Sequence, residues 1–121
     1  MSVIDYPLHS GQTARNKAVT ALSTTSQQVR GSASGYRSLL LNNSANAAAT
    51  YFKFKHGASY NHAVDAPDMV LMVPAGKTCP AVFHGDDWDI ATGLWVAASA
   101  AAAINGAAPS SAVSMEVNTD E

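Results

Sequence analysis

His84-Gly85-Asp86-Asp87-Trp88-Asp89 is the densest cluster of chemistry-bearing side chains in the sequence. Its carboxylates offer oxygens to a hard cation such as calcium. A calcium loop also needs further donors at set spacings and a bidentate Glu, and the segment supplies neither. It reads instead as a solvated turn whose Asp side chains cap their own backbone. His9, His56 and His62 stand in polar or turn-like contexts, and no pair has the spacing that puts two imidazoles on one helix face. Cys79 is the single cysteine, so an internal disulfide and a four-ligand zinc site built on cysteines are excluded. Beside Pro80 it reads as a buried, inert thiol.

Gly76-Lys77-Thr78 looks like the end of a phosphate-binding loop, but that motif needs a glycine where Leu71 stands. It also needs a helix starting at the lysine, and Pro80 follows almost at once. A hairpin turn is the better reading. Gly31-Ser32-Ala33-Ser34-Gly35 has the outline of a serine nucleophile elbow, with Ala33 where the nucleophile must stand. Tyr36, Tyr51, Tyr60, Phe83, Trp88 and Trp95 could line a sugar-binding face, but such rings are more often core plugs of a small sandwich. Asn42-Asn43-Ser44 fits a glycosylation sequon, which carries no weight without a secretory signal. No catalytic residue, cofactor or metal ligand is assigned, and the expectation is a protein that is not an enzyme.

The elements that would position these groups are strands. From Val19 onward, short apolar stretches are broken by turn residues every 8–12 positions, the spacing of an all-β sandwich or barrel. Strands are expected at Val19–Leu22, Gln27–Arg30, Tyr36–Leu41, Thr50–Lys55, Met69–Val73, Thr78–Phe83, Trp88–Ile90 and Ala112–Val117. Thr50–Lys55 has the cleanest period of two. Phe52 and Phe54 share a buried face, and Tyr51, Lys53 and Lys55 a wet one. Pro80 places its strand at an edge or a bulge. The Ala-rich stretch from Leu94 admits a short helix ending at Asn105-Gly106, or a strand to about Ser99 followed by a loop. Strands on both sides favour the second, because helix propensity is a weak prior. Asn118 to Glu121 reads as a polar tail.

Residues 1–18 show no period and read as an extended N-terminal arm, leaving 19–121 as the sandwich domain. Val3, Ile4, Tyr6 and Leu8 on that arm are the expected partner contacts, since Tyr6 and Leu8 have no local strand to pack on. Deleting residues 1–8 is expected to weaken binding and to spare the fold.

Composition sets the class of function. The chain has 121 residues, is 47% hydrophobic and only 13% charged, about half the usual charged fraction. Such a sequence is too apolar for disorder. A skin of small, uncharged side chains is cheap to bury against a partner. Seven Lys and Arg, not clustered, and a net charge of −2 argue against nucleic acid. Neither a signal peptide nor an apolar run of the ~20 residues a membrane helix needs is visible, so cytoplasmic synthesis is expected.

Residues 36–117 also resemble small β-sandwich virion structural proteins of tailed bacteriophages. The resemblance rests on Leu39-Leu40-Leu41-Asn42-Asn43 followed by the aromatic-rich strand to Phe54. It continues through the hairpin Val70-Leu71-Met72-Val73-Pro74-Ala75-Gly76-Lys77-Thr78, the strand entry Thr92-Gly93-Leu94-Trp95-Val96-Ala97, and the final loop and strand 107–117. It implies an antiparallel β-sandwich of jelly-roll type, of about eight strands, in a capsid cement or decoration protein of the virion. Its implied partners are copies of itself, a trimer being one arrangement, and the major capsid protein or another virion protein. It brings no cofactor. Neck, tail and head-fibre components are the alternatives in the same class. From other classes come a carbohydrate-binding module using Tyr51, Tyr60 and Trp88, and a small enzyme whose His and Asp side chains meet in a cleft.

Overall fold

The computed structural model describes residues 14–30, 34–82, 89–90 and 93–120. They form nine strands: β1 (Ala14–Leu22), β2 (Gln27–Arg30), β3 (Ser34–Asn42), β4 (Thr50–His56), β5 (Met69–Val73), β6 (Thr78–Val82), β7 (Asp89–Ile90), β8 (Leu94–Ser99) and β9 (Val113–Asp120). Among the described residues there is no helix, and so none long and apolar enough to cross a membrane. The protein is all-β.

Two antiparallel sheets result. The first runs β1-β9-β3-β6, with the two-residue β7 continuing the β6 lane along β3. The second runs β2-β8-β4-β5. The pairings are nested along the chain: β4 with β5, β3 with β6, β2 with β8, and β1 with β9. Each successive pair encloses the previous one, and alternate pairs fall in alternate sheets.

One core fills the space between the sheets. Val19, Leu22, Leu39, Leu41, Met115 and Val117 come from the first sheet, and Val29, Phe52, Phe54, Val73, Leu94 and Val96 from the second. The period of two puts them there, since alternate side chains of a strand share a face. Burying each is worth about 1.5–3 kcal/mol.

Several boundaries differ from the sequence-based reading. β1 begins at Ala14 and pairs with β9 from Asp120 downward, so residues 14–18 belong to the sheet and not to an arm. The supposed polar tail is strand through Asp120, because Asn118 to Asp120 lie between β1 and β3 and bond to both. Thr119 is buried there. The Ala-rich stretch is strand to Ser99 and loop beyond it. Pro80 sits on the edge strand of the first sheet, where a residue without an N–H removes no ladder bond.

The expected wet face of β4 is the clearest correction. Lys53 is fully buried. The loops 57–68 and 100–112 reach across the outer face of the second sheet and bond to it and to each other. Hence β8 buries both faces, with Ala97 and Ser99 as inaccessible as Val96 and Ala98.

Candidate functional site

Among the described residues, none crosses the outer face of the first sheet in this way. Strand alternation sends Ser38 and Leu40 of β3 outward, with Pro80 and Val82 of β6 and Glu116 and Asn118 of β9 in register beside them. Together they line a shallow groove of about 430 Å³. Its floor is apolar where Leu40 (40% exposed), Pro80 and Val82 (63% exposed) meet. Its other wall is polar, with the Glu116 carboxylate as its formal charge. Core residues Leu39 and Leu41, and the half-buried Cys79 and Ala81, point the other way and anchor the face from beneath. The groove offers shape, apolar area and a polar rim, the ingredients of a docking surface rather than of covalent chemistry.

A second constellation lies under the loops of the other sheet. The Lys53 ammonium donates to the Ala103 carbonyl at 2.6 Å and stands 3.1 Å from His62 Nε2. His62 is itself only 4% exposed, and its ring meets Tyr60 edge to face, centroids 6.4 Å apart. Because Nε2 faces an ammonium it is the ring's acceptor, so the imidazole is neutral with its proton on Nδ1. Burial lowers the Lys53 pKa from its ordinary value. Burial, and then the Lys53 charge, do the same for His62. Both shifts have the same cause: a charge removed from water disfavours its own ionised form. Above the pair, Thr24, Thr25, Ser26, Asn61 and Asn105 edge a small cleft. Among the described residues, no hydroxyl or thiol bonds to either Lys53 or His62; the pair ties β4 to the loops 57–68 and 100–112.

A third feature organises the loops at one end of the sandwich. Asn43 is wholly buried. Its Nδ2 donates to the carbonyls of Ala48, Val73 and Pro74, and its Oδ1 accepts from Asn46 Nδ2 and Thr50 Oγ1. Asn46 reaches on to the backbone of Ser111 in both directions. One side chain thus joins the turn after β3, the start of β4 and the end of β5. An amide is suited to this because it is the neutral side chain with both two donors and an acceptor.

The residues singled out in the sequence fare differently. Val3, Ile4, Tyr6 and Leu8 lie outside the described residues, as do His9, Phe83, Trp88 and His84 to Asp87. Gly76-Lys77-Thr78 forms the β5–β6 hairpin turn. Gly76 takes a φ of +69° and donates to the Asn46 carbonyl, and Lys77 N–H turns back to Pro74. Of the candidate sugar-stacking rings, Tyr60 and Tyr36 are buried, and Trp95 is half-buried with its N–H on the Gly57 carbonyl. Tyr60 therefore does not share a solvent-facing platform with Tyr51. His56 caps the end of β4, where its N–H donates to the Asp68 carboxylate at 2.7 Å. Among the described residues, no group of three or more His, Cys, Asp or Glu could hold a metal ion.

The uncovered face, the Lys53–His62 tie and the Asn43 junction were not legible as sites in the sequence. A signal for the first exists in hindsight: in Leu39-Leu40-Leu41, alternation leaves the middle leucine outside. No protein-family model matches the chain, and searches of curated proteins and of solved structures return no match.

Proposed function

We propose that the protein is a structural component of a bacteriophage virion, a capsid cement or decoration protein that binds through buried area and performs no catalysis. In this reading it is made in the bacterial host cytoplasm and works in the virion as a homo-oligomer seated on the major capsid protein. Neck, tail and head-fibre positions remain within the same class.

The observation that carries the reading is the exposed apolar groove of Leu40, Pro80 and Val82 on the outer face of the first sheet, on a charge-poor surface. Natural sheets protect edges and outer faces with charge, and this one presents leucine, proline and valine. The strand order supports a jelly roll. Four nested antiparallel pairs wound into two facing sheets are the jelly-roll plan, an architecture used by viral capsid proteins and also by lectins. Low charge supports it further, since each buried interface then has few ions to desolvate. Repeating a modest contact around a particle makes a durable attachment. The arm residues Val3, Ile4, Tyr6 and Leu8 are proposed as a second contact.

Two assays test the reading together: immunogold labelling of particles from the phage that encodes the chain, and a glycan array with the isolated protein. Label on the head with an empty array is expected. Unlabelled particles would overturn the virion assignment, and array binding would point to the carbohydrate-binding module instead.

A further inference from the structure

We infer that the Lys53–His62 contact is an acid-sensitive latch, which holds the loops 57–68 and 100–112 over the second sheet and opens when His62 takes up a proton. The inference is independent of the virion reading.

The latch has few parts. Lys53, on β4, reaches up to the Ala103 carbonyl and to His62 Nε2. The His62 carbonyl in turn accepts the Asn105 N–H at 3.2 Å. Residues 100–105 are all exposed, so little apolar burial holds this stretch, and its attachment rests on these polar bonds together with the Ser99 hydroxyl, which donates to the Ala101 carbonyl at 2.6 Å. Its far end is pinned separately, at Ser111, by Asn46.

At neutral pH the pair carries one positive charge, and a lone pair on Nε2 meets a Lys53 N–H. A proton taken from solvent onto Nε2 removes that lone pair. Two N–H donors, each positively charged, then face each other at 3.1 Å with burial around them. Like charges at that distance in a poorly solvated site cannot both persist. Among the described residues, no carboxylate bonds to Lys53 or His62. From 57–68 the titratable groups are Tyr60, whose ring touches His62, Asp65, whose carboxylate accepts the Asn61 N–H, and Asp68, whose carboxylate accepts the His56 N–H and pairs with Lys55 of β4 at 3.6 Å. The loop 100–112, the segment 23–26, and the outward residues Ala97 and Ser99 of β8 and Val70 of β5 contribute none. Burial and the Lys53 charge both hold His62 below the usual imidazole range, so the latch stays shut at neutral pH and yields in acid.

Amide hydrogen exchange of the full chain, corrected for intrinsic rates, tests this between pH 7.5 and 4.5. The Asn105 and Gly106 amides should lose at least tenfold protection in acid. The Gly76 amide, held by Asn46 at the other end of the sandwich, should keep its own. His62→Gln cannot take up the proton and should show no acid loss. In Lys53→Met the second charge is missing and burial alone opposes the proton, so the acid loss of protection should be smaller than in the natural chain. Unchanged protection in the natural chain, an equal loss in His62→Gln, or a parallel loss at Gly76 would overturn the latch. Should neither variant fold, the His62 ring titration followed by NMR must share its midpoint with the amide loss; separate midpoints would also overturn it.

Discussion

Leu40 of β3 and Pro80 of β6 stand in register on the outer face of the first sheet, and both are exposed. Their inward neighbours are the core residues Leu39 and Leu41 and the half-buried Cys79 and Ala81. The strand pair is therefore apolar on both sides, yet only one side has a partner among the described residues. The opposite sheet shows what cover looks like at Lys53 of β4 and Ala97 and Ser99 of β8, sealed under two loops, while Val70 and Met72 of its edge strand β5 stay exposed. The contrast marks an apolar surface at β3 and β6 with no cover among the described residues.

The Asn43 junction should be the most sensitive polar site in the fold. Asn43→Ala leaves three carbonyls, the Asn46 amide and the Thr50 hydroxyl without their partner. A buried polar group left unsatisfied costs about 1–3 kcal/mol, and several share this loss. Urea unfolding should show a loss of roughly 3–4 kcal/mol. Asn43→Asp keeps the acceptor but turns a carboxylate toward three carbonyls, and should be no better than alanine.

Lys53 should leave a signature in alkali. Its folded pKa lies below its unfolded value of about 10.5, so the fold carries the full cost of the buried charge at neutral pH. That cost is relieved as pH rises through the folded pKa toward 10.5. The melting temperature of the natural chain, relative to Lys53→Met, should therefore climb on going from pH 7.5 to 10. A flat difference would mean that Lys53 titrates normally.

Tyr36 acts in the opposite direction. Burial pushes its phenol up to about 12, while Arg30 pulls weakly the other way. An unfolded tyrosine ionises near 10, so stability is lost as pH rises through the window from about 10 to 12. Tyr36→Phe should lessen that loss in melting curves taken above pH 10, with little change in its pH dependence at neutrality.

Gly76→Ala isolates backbone conformation from packing. A Cβ there would meet nothing within 4 Å, but the φ of +69° is left-handed. The expected cost is about 1 kcal/mol, read as a lower urea midpoint with an unchanged slope.

The β-fold was legible in the sequence because turn residues and the period of two agree with it in most segments. Met69–Val73 and Gln27–Arg30 occupy the predicted residues, and the strand from Leu94 to Ser99 prevailed over the helix propensity of its alanines. Tertiary pairing decided the rest. Residues 14–18 and 118–120 carry no apolar rhythm strong enough to mark a strand, and become one because each can bond to the other. Lys53 reads as a surface residue in any strand pattern. Only the arrival of Ala103 and His62, fifty and nine positions away, makes it a buried one. Asn43 likewise looks like an ordinary turn residue until its five side-chain bonds are seen.

Light scattering on the natural chain and on a Leu40→Glu, Val82→Glu double variant tests the central claim most directly. The account predicts an assembly of several 12.5 kDa chains for the natural protein at micromolar concentration. It predicts a single chain, with a melting temperature changed by only a few degrees, for the variant. A natural protein that scatters as one chain at all concentrations, or an assembly indifferent to both charges, would contradict it.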